Sequence, residues 1–107
     1  MNAPMNDVPE QIARHVRIKG KVQRVFFRNW IVEEATKRGL RGWVRNRSDN
    51  IVEAVFAGEV SAVRAMAKAC YKGPPKAEVT DVIQYPGEFR PTDDDFGEAF
   101  KKLPSIA

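Results

Sequence analysis

A chain of 107 residues, 43% apolar and 30% charged, has room for one domain around a single modest core. Its apolar runs fall short of the roughly 20 residues that span a bilayer, and a lone cysteine, Cys70, excludes an intrachain disulfide or a thiolate metal cluster. The net charge of +4 is uneven, with +6 on residues 1–50 and −2 on residues 51–107.

Residues 1–12 contain two Pro and two Asn with little periodic pattern and are expected to form a loose tail, leaving 13–107 as one domain. The opening lacks the basic start and apolar stretch of a secretion signal, so a cytoplasmic location is expected. His15 to Lys19 alternates apolar and polar residues, the pattern of a half-buried strand. On that pattern His15 faces the polar side and receives no functional role. From Arg14 to Arg28 there are six basic residues and no acidic one. Such a block is either a solvated basic strand or an attractor for an anionic ligand or nucleic acid.

Gly20 to Val25 is a short connection, and a helical spacing begins at Phe27, with Ile31 and Ala35 following at steps of four. Lys37-Arg38-Gly39 supplies a helix stop. A second strand is expected over Arg41 to Arg47 and a third over Ile51 to Ala57, joined by a Ser48-Asp49-Asn50 turn in which Asn50 tolerates a left-handed backbone. Both faces of the third strand are partly apolar, so the pattern alone does not orient it. Gly58 is predicted to open a second helix carrying Val60, Val63, Ala67 and Cys70 on one face, where the thiol is packed rather than reactive. Lys72-Gly73-Pro74-Pro75 ends it. A fourth strand is expected over Glu78 to Tyr85, an exposed polar loop over Pro86 to Asp95, and a short final strand within Phe96 to Leu103. Strand, helix, strand, strand, helix, strand predicts an α+β split βαβ sandwich, with two helices on one face of a mainly antiparallel sheet.

Two segments carry chemistry. Gly20 to Arg28 joins a strand to a helix start, where amide N–H groups lack internal partners and the dipole is positive. A cation such as Arg28 in the first turn is disfavoured there by about 0.3–1 kcal/mol. A bound anion would remove the conflict, and guanidinium matches phosphate oxygens; the alternative is a solvent-exposed arginine that tolerates the penalty. Asn46, near the end of the second strand, is either turn chemistry or a carboxamide placed to hold a water. Trp30 and Trp43 are read as packing residues. The Asp93-Asp94-Asp95 run is read as a solvated loop rather than a cation site.

Gly20, Val22, Gln23, Val25, Phe27 and Arg28, followed by Gly42, Val44, Asn46, Asp49 and Asn50, closely resemble the two motifs of the acylphosphatase family. Gly73 to Val79 resembles that family's link into its fourth strand. The resemblance spans residues 13–85 and implies a ferredoxin-like fold and cofactor-free hydrolysis of carboxylic–phosphoric anhydrides. It assigns the catalytic roles to Arg28 and Asn46, and the phosphate cradle to the backbone of Gln23, Arg24, Val25, Phe26 and Phe27. Arg24 departs from the family's usual Gly: a positive φ there would cost roughly 1–2 kcal/mol, whereas an ordinary φ would let Arg24 overhang the site. The expected partners are small acyl phosphates, with inorganic phosphate or sulfate able to occupy the cradle; no metal, membrane or nucleic acid is expected, and a monomer is. A catalytically silent anion binder, or a nucleic-acid module of the same fold, is the alternative, although the first strand offers no aromatic beyond His15 and the third only Phe56 for base stacking.

Overall fold

Alternating apolar and polar residues take Gln11–Lys21 into β1, whose even-numbered Val16 and Ile18 are fully buried. The structure, a computed structural model, describes residues 10–23, 26–87, 89–91 and 96–106. β1 is longer than the predicted His15–Lys19 because it pairs on both edges, with β3 (Val52–Glu59) and β4 (Glu78–Pro86), so residues 11 and 12 belong to the sheet and not to the predicted tail. Residues 1–9 lie outside the described residues.

Helix α1 spans Phe27–Lys37 and buries Phe27, Ile31 and Ala35, the stripe read from the sequence. Gly39, at φ 71°, lets the chain reverse after the last turn. β2 (Arg41–Asn46) then pairs antiparallel with β3 across a tight turn in which Asn50 has φ 62°. Helix α2 spans Val60–Cys70 and buries Val63, Met66, Ala67 and Cys70. Gly58 does not open this helix: its pairing with Ile12 of β1 keeps it in β3, and the helix starts at Val60. A three-residue strand, β5 (Phe100–Lys102), runs parallel to β2.

The sheet order is β4-β1-β3-β2-β5, with both helices packed on one face, a ferredoxin-like α+β sandwich. Val16, Ile18, Val52, Ala54 and Phe56 meet Ile31, Ala35, Val63, Met66 and Cys70 in the main core. On the other face, Ala13, Val55 and Ala57 are covered by Phe96, with Trp43 and Phe89 packed alongside. This second layer explains why β3 is apolar on both faces. It also corrects the reading of His15, which is 3% exposed instead of facing solvent: the rings of Tyr85 and Phe89 lie 5.0 and 5.5 Å from the imidazole. Trp30 packs edge-on against Phe27, and Trp43 against Phe89 with the Arg45 guanidinium over its ring. Asp93, Asp94 and Asp95 lie outside the described residues.

Candidate active site

Direction of the strands decides what meets at the site. β1 and β2 are both antiparallel to β3, and β5 is parallel to β2, so all three point the same way. Their carboxyl ends share one edge of the sheet, where α1 begins; crevices at such edges are common ligand sites. Ile18 and Asn46 stand level through their shared partner Val52.

A cavity of about 350 Å³ opens at that edge, lined by Val22, Gln23, Phe26, Phe27, Arg28, Asn29, Asn46 and Lys102. Arg28 and Asn46, 18 residues apart in the chain and from different motifs, thus face one concavity, together with Gln23, Phe26 and Phe27 of the expected cradle. Arg24 and Val25 lie outside the described residues.

Helix α1 is unusually open at its start. Its N-cap, Phe26, is left-handed (φ 59°, ψ 27°), supplies no capping side chain, and is followed by a first turn without acidic residues. The amides of Phe27, Arg28 and Asn29 have no partner inside the helix. A left-handed phenylalanine costs about 1–2 kcal/mol, so the conformation is held by its surroundings. Phe27 anchors that turn: it is 1% exposed and seated against Gly73, where an added Cβ would come within 2.6 Å of the ring. Phe26 by contrast is 78% exposed at the cavity wall. Arg28 makes no ion pair or hydrogen bond among the described residues.

Gln23 ties the loop to the hairpin. Its Nε2 donates to the carbonyl oxygens of Arg47 and Ile51 at 2.8 and 3.1 Å. Those carbonyls flank the turn immediately after Asn46. The backbone of Asn46 is fixed from the other side as well, its carbonyl accepting the Ile106 amide at 3.0 Å while Val44 accepts the Leu103 amide at 2.8 Å. The side-chain Oδ1 of Asn46 is buried without a hydrogen-bond partner. An unmatched buried acceptor costs about 1–3 kcal/mol, and a donor entering the cavity would satisfy it.

Behind the site, on the sheet face away from the helices, Glu53 is 2% exposed and gathers basic side chains from both neighbouring strands. His15 Nε2 lies 2.6 Å from Oε2, Arg17 Nε 3.4 Å from Oε2, and Arg45 Nε and Arg47 Nη1 donate to Oε1 at 2.9 and 3.2 Å. Burial raises the carboxyl's pKa, but hydrogen bonds from His15, Arg45 and Arg47 outweigh it and hold the pKa down at about 2. Arg45 and Arg47 flank Asn46, so this cluster stiffens the strand that carries it.

Sequence reasoning missed three contributors. Lys102 enters from β5, with Nζ donating to Asn29 Oδ1 at 2.9 Å. Asn29 was unremarkable as the third residue of a helix. Glu53 was one acid in an apolar strand; its mismatch with buried neighbours was the available signal, and its partners were not.

Fold and cavity together define the class: a ferredoxin-like α+β domain with a cationic crevice, lined by no carboxylate among the described residues, at a helix N-terminus. The Acylphosphatase family model matches residues 14–97. An acylphosphatase of Rhizorhabdus wittichii is 51% identical over 83 residues, covering 76% of this chain and 84% of that one. The acylphosphatase of Nitrobacter winogradskyi is 42% identical over 102 residues, covering 90% and 98%. The solved acylphosphatase structure from Coxiella burnetii superposes with a TM-score of 0.77 at 31% identity, covering 87% and 93%. The chain belongs to the acylphosphatase family.

Proposed function

We propose that this chain hydrolyses the carboxyl–phosphate anhydride of small acyl phosphates, with Arg28 and Asn46 as the catalytic residues and no metal. The observation that carries this reading is the convergence of Arg28, Asn46 and the first turn of α1 on one cavity. The backbone from Gln23 to Phe27 (Arg24 and Val25 included) and the Arg28 guanidinium hold the phosphoryl oxygens. The unmatched Oδ1 of Asn46 accepts a hydrogen bond from the attacking water and aims its oxygen at phosphorus.

Little more is required. The new O–P bond forms as the bond from phosphorus to the acyl oxygen breaks. The leaving carboxylate has a conjugate-acid pKa near about 4 and departs without a general acid. The water's proton passes to a phosphoryl oxygen. What remains is positioning and charge stabilisation, the main resources of phosphoryl transfer. Inorganic phosphate or sulfate occupies the same cradle, and the chain acts as a cytoplasmic monomer.

Steady-state hydrolysis of acetyl phosphate tests the assignment. Arg28→Ala should lose both substrate binding and rate, and Asn46→Ala mainly rate. Wild-type turnover no faster than buffer, with inorganic phosphate still binding, would replace this reading with that of a silent anion binder.

A further inference from the structure

Lys102 has no place in the chemistry just described, yet it lines the same cavity. Strand alternation explains how it gets there. Phe100 points to the helix face, where it stacks on Phe56 at 5.6 Å, so Lys102, two residues on, points to that face as well. Its register partner is Val44, two residues before Asn46. The ammonium is then tethered by Asn29 Oδ1 at 2.9 Å, a neutral partner that leaves its charge uncompensated.

The cavity therefore carries two cations, Arg28 and Lys102, and no carboxylate among the described residues that line it. Asn29, which holds Lys102, lies about 100° round the helix from Arg28. The volume also exceeds what a phosphoryl group fills: about 350 Å³ equals the liquid share of roughly a dozen waters.

We infer that Lys102 is a specificity-determining residue that receives a second anionic group, carried on the acyl side of the substrate. With the phosphoryl end at Arg28 and the α1 amides, the acyl chain extends past exposed Phe26, and its distal carboxylate or phosphate meets the Lys102 ammonium. The site thus favours doubly anionic acyl phosphates over neutral ones. This inference rests on the proposed hydrolytic function.

The test compares acetyl phosphate with succinyl phosphate, which adds a terminal carboxylate, on wild type, Lys102→Met and Lys102→Arg. Lys102→Met should lower kcat/KM for succinyl phosphate about three- to tenfold more than for acetyl phosphate, as expected for a partly solvated charge pair. Lys102→Arg should restore the preference, and salt should erode it in wild type. An equal fall on both substrates would make Lys102 a phosphate ligand and overturn the inference, as would an unchanged ratio. The corresponding acylphosphonates, whose C–P bond resists hydrolysis, give the same comparison by calorimetric binding. Wild type that binds the two phosphonates with the Lys102-dependent preference but turns over neither phosphate would overturn the hydrolytic reading and leave the specificity assignment standing.

Discussion

Replacing Glu53 by Gln keeps the side chain's shape and removes the one charge around which His15, Arg17, Arg45 and Arg47 are gathered. The carboxyl's pKa falls from 4.5 to about 2 on folding. Because the folded value is the lower one, its stabilisation is complete above pH 4.5 and is lost as pH falls towards 2. At about 1.4 kcal/mol per pH unit, that interval corresponds to about 3 kcal/mol. Removing one partner of a buried ion cluster costs about 3–5 kcal/mol, because the remaining charges stay buried, and the two figures agree. A loss of about 3 kcal/mol lowers Tm by about 12 °C in a domain of this size, within the roughly 5–15 kcal/mol that small domains have in reserve. Urea titrations followed by tryptophan fluorescence between pH 2 and 7 measure it. Wild type should lose stability across the acid interval, whereas Glu53→Gln should start lower and lose about 3 kcal/mol less over that interval. Equal stabilities at pH 7, or parallel acid slopes, would refute the account of Glu53 as the hub of the cluster.

Gln23→Ala removes two hydrogen bonds to the turn after Asn46 and should cost about 1–3 kcal/mol in urea unfolding; turnover of acetyl phosphate should fall more than KM rises, since the loop and Asn46 lose their common brace. Asn50→Gly relieves a left-handed backbone and should raise stability by up to about 1 kcal/mol, with kcat/KM unchanged. The Cys70 thiol is buried and pushed up to about 12 by desolvation, so at pH 8 a thiol reagent should label it only at the rate of global unfolding, measured by following labelling with and without urea.

Much of the fold was legible because its signals are local. The four-residue steps of Phe27, Ile31 and Ala35, the Gly39 stop and the Asn50 turn each reflect the geometry of a few adjacent residues. The proposed anion site was legible for the same reason, since a loop entering a helix with Arg28 in its first turn announces its own electrostatic conflict. Gly58 misled because a glycine after a strand resembles a helix start. Pairing with Ile12, 46 positions away, kept it extended.

By itself, the sequence determined the elements, the order of the sandwich and the two motifs that join Arg28 to Asn46 in one family. Only the tertiary structure decided that His15 and Glu53 are buried together, that Gln23 clasps the hairpin, and that Lys102 enters the cavity beside Asn29. Helix periods and turn preferences are properties of neighbours in the chain. Burial of a charge depends instead on which distant strand lies beside it and what covers the far face of the sheet, and strand alternation cannot reveal either.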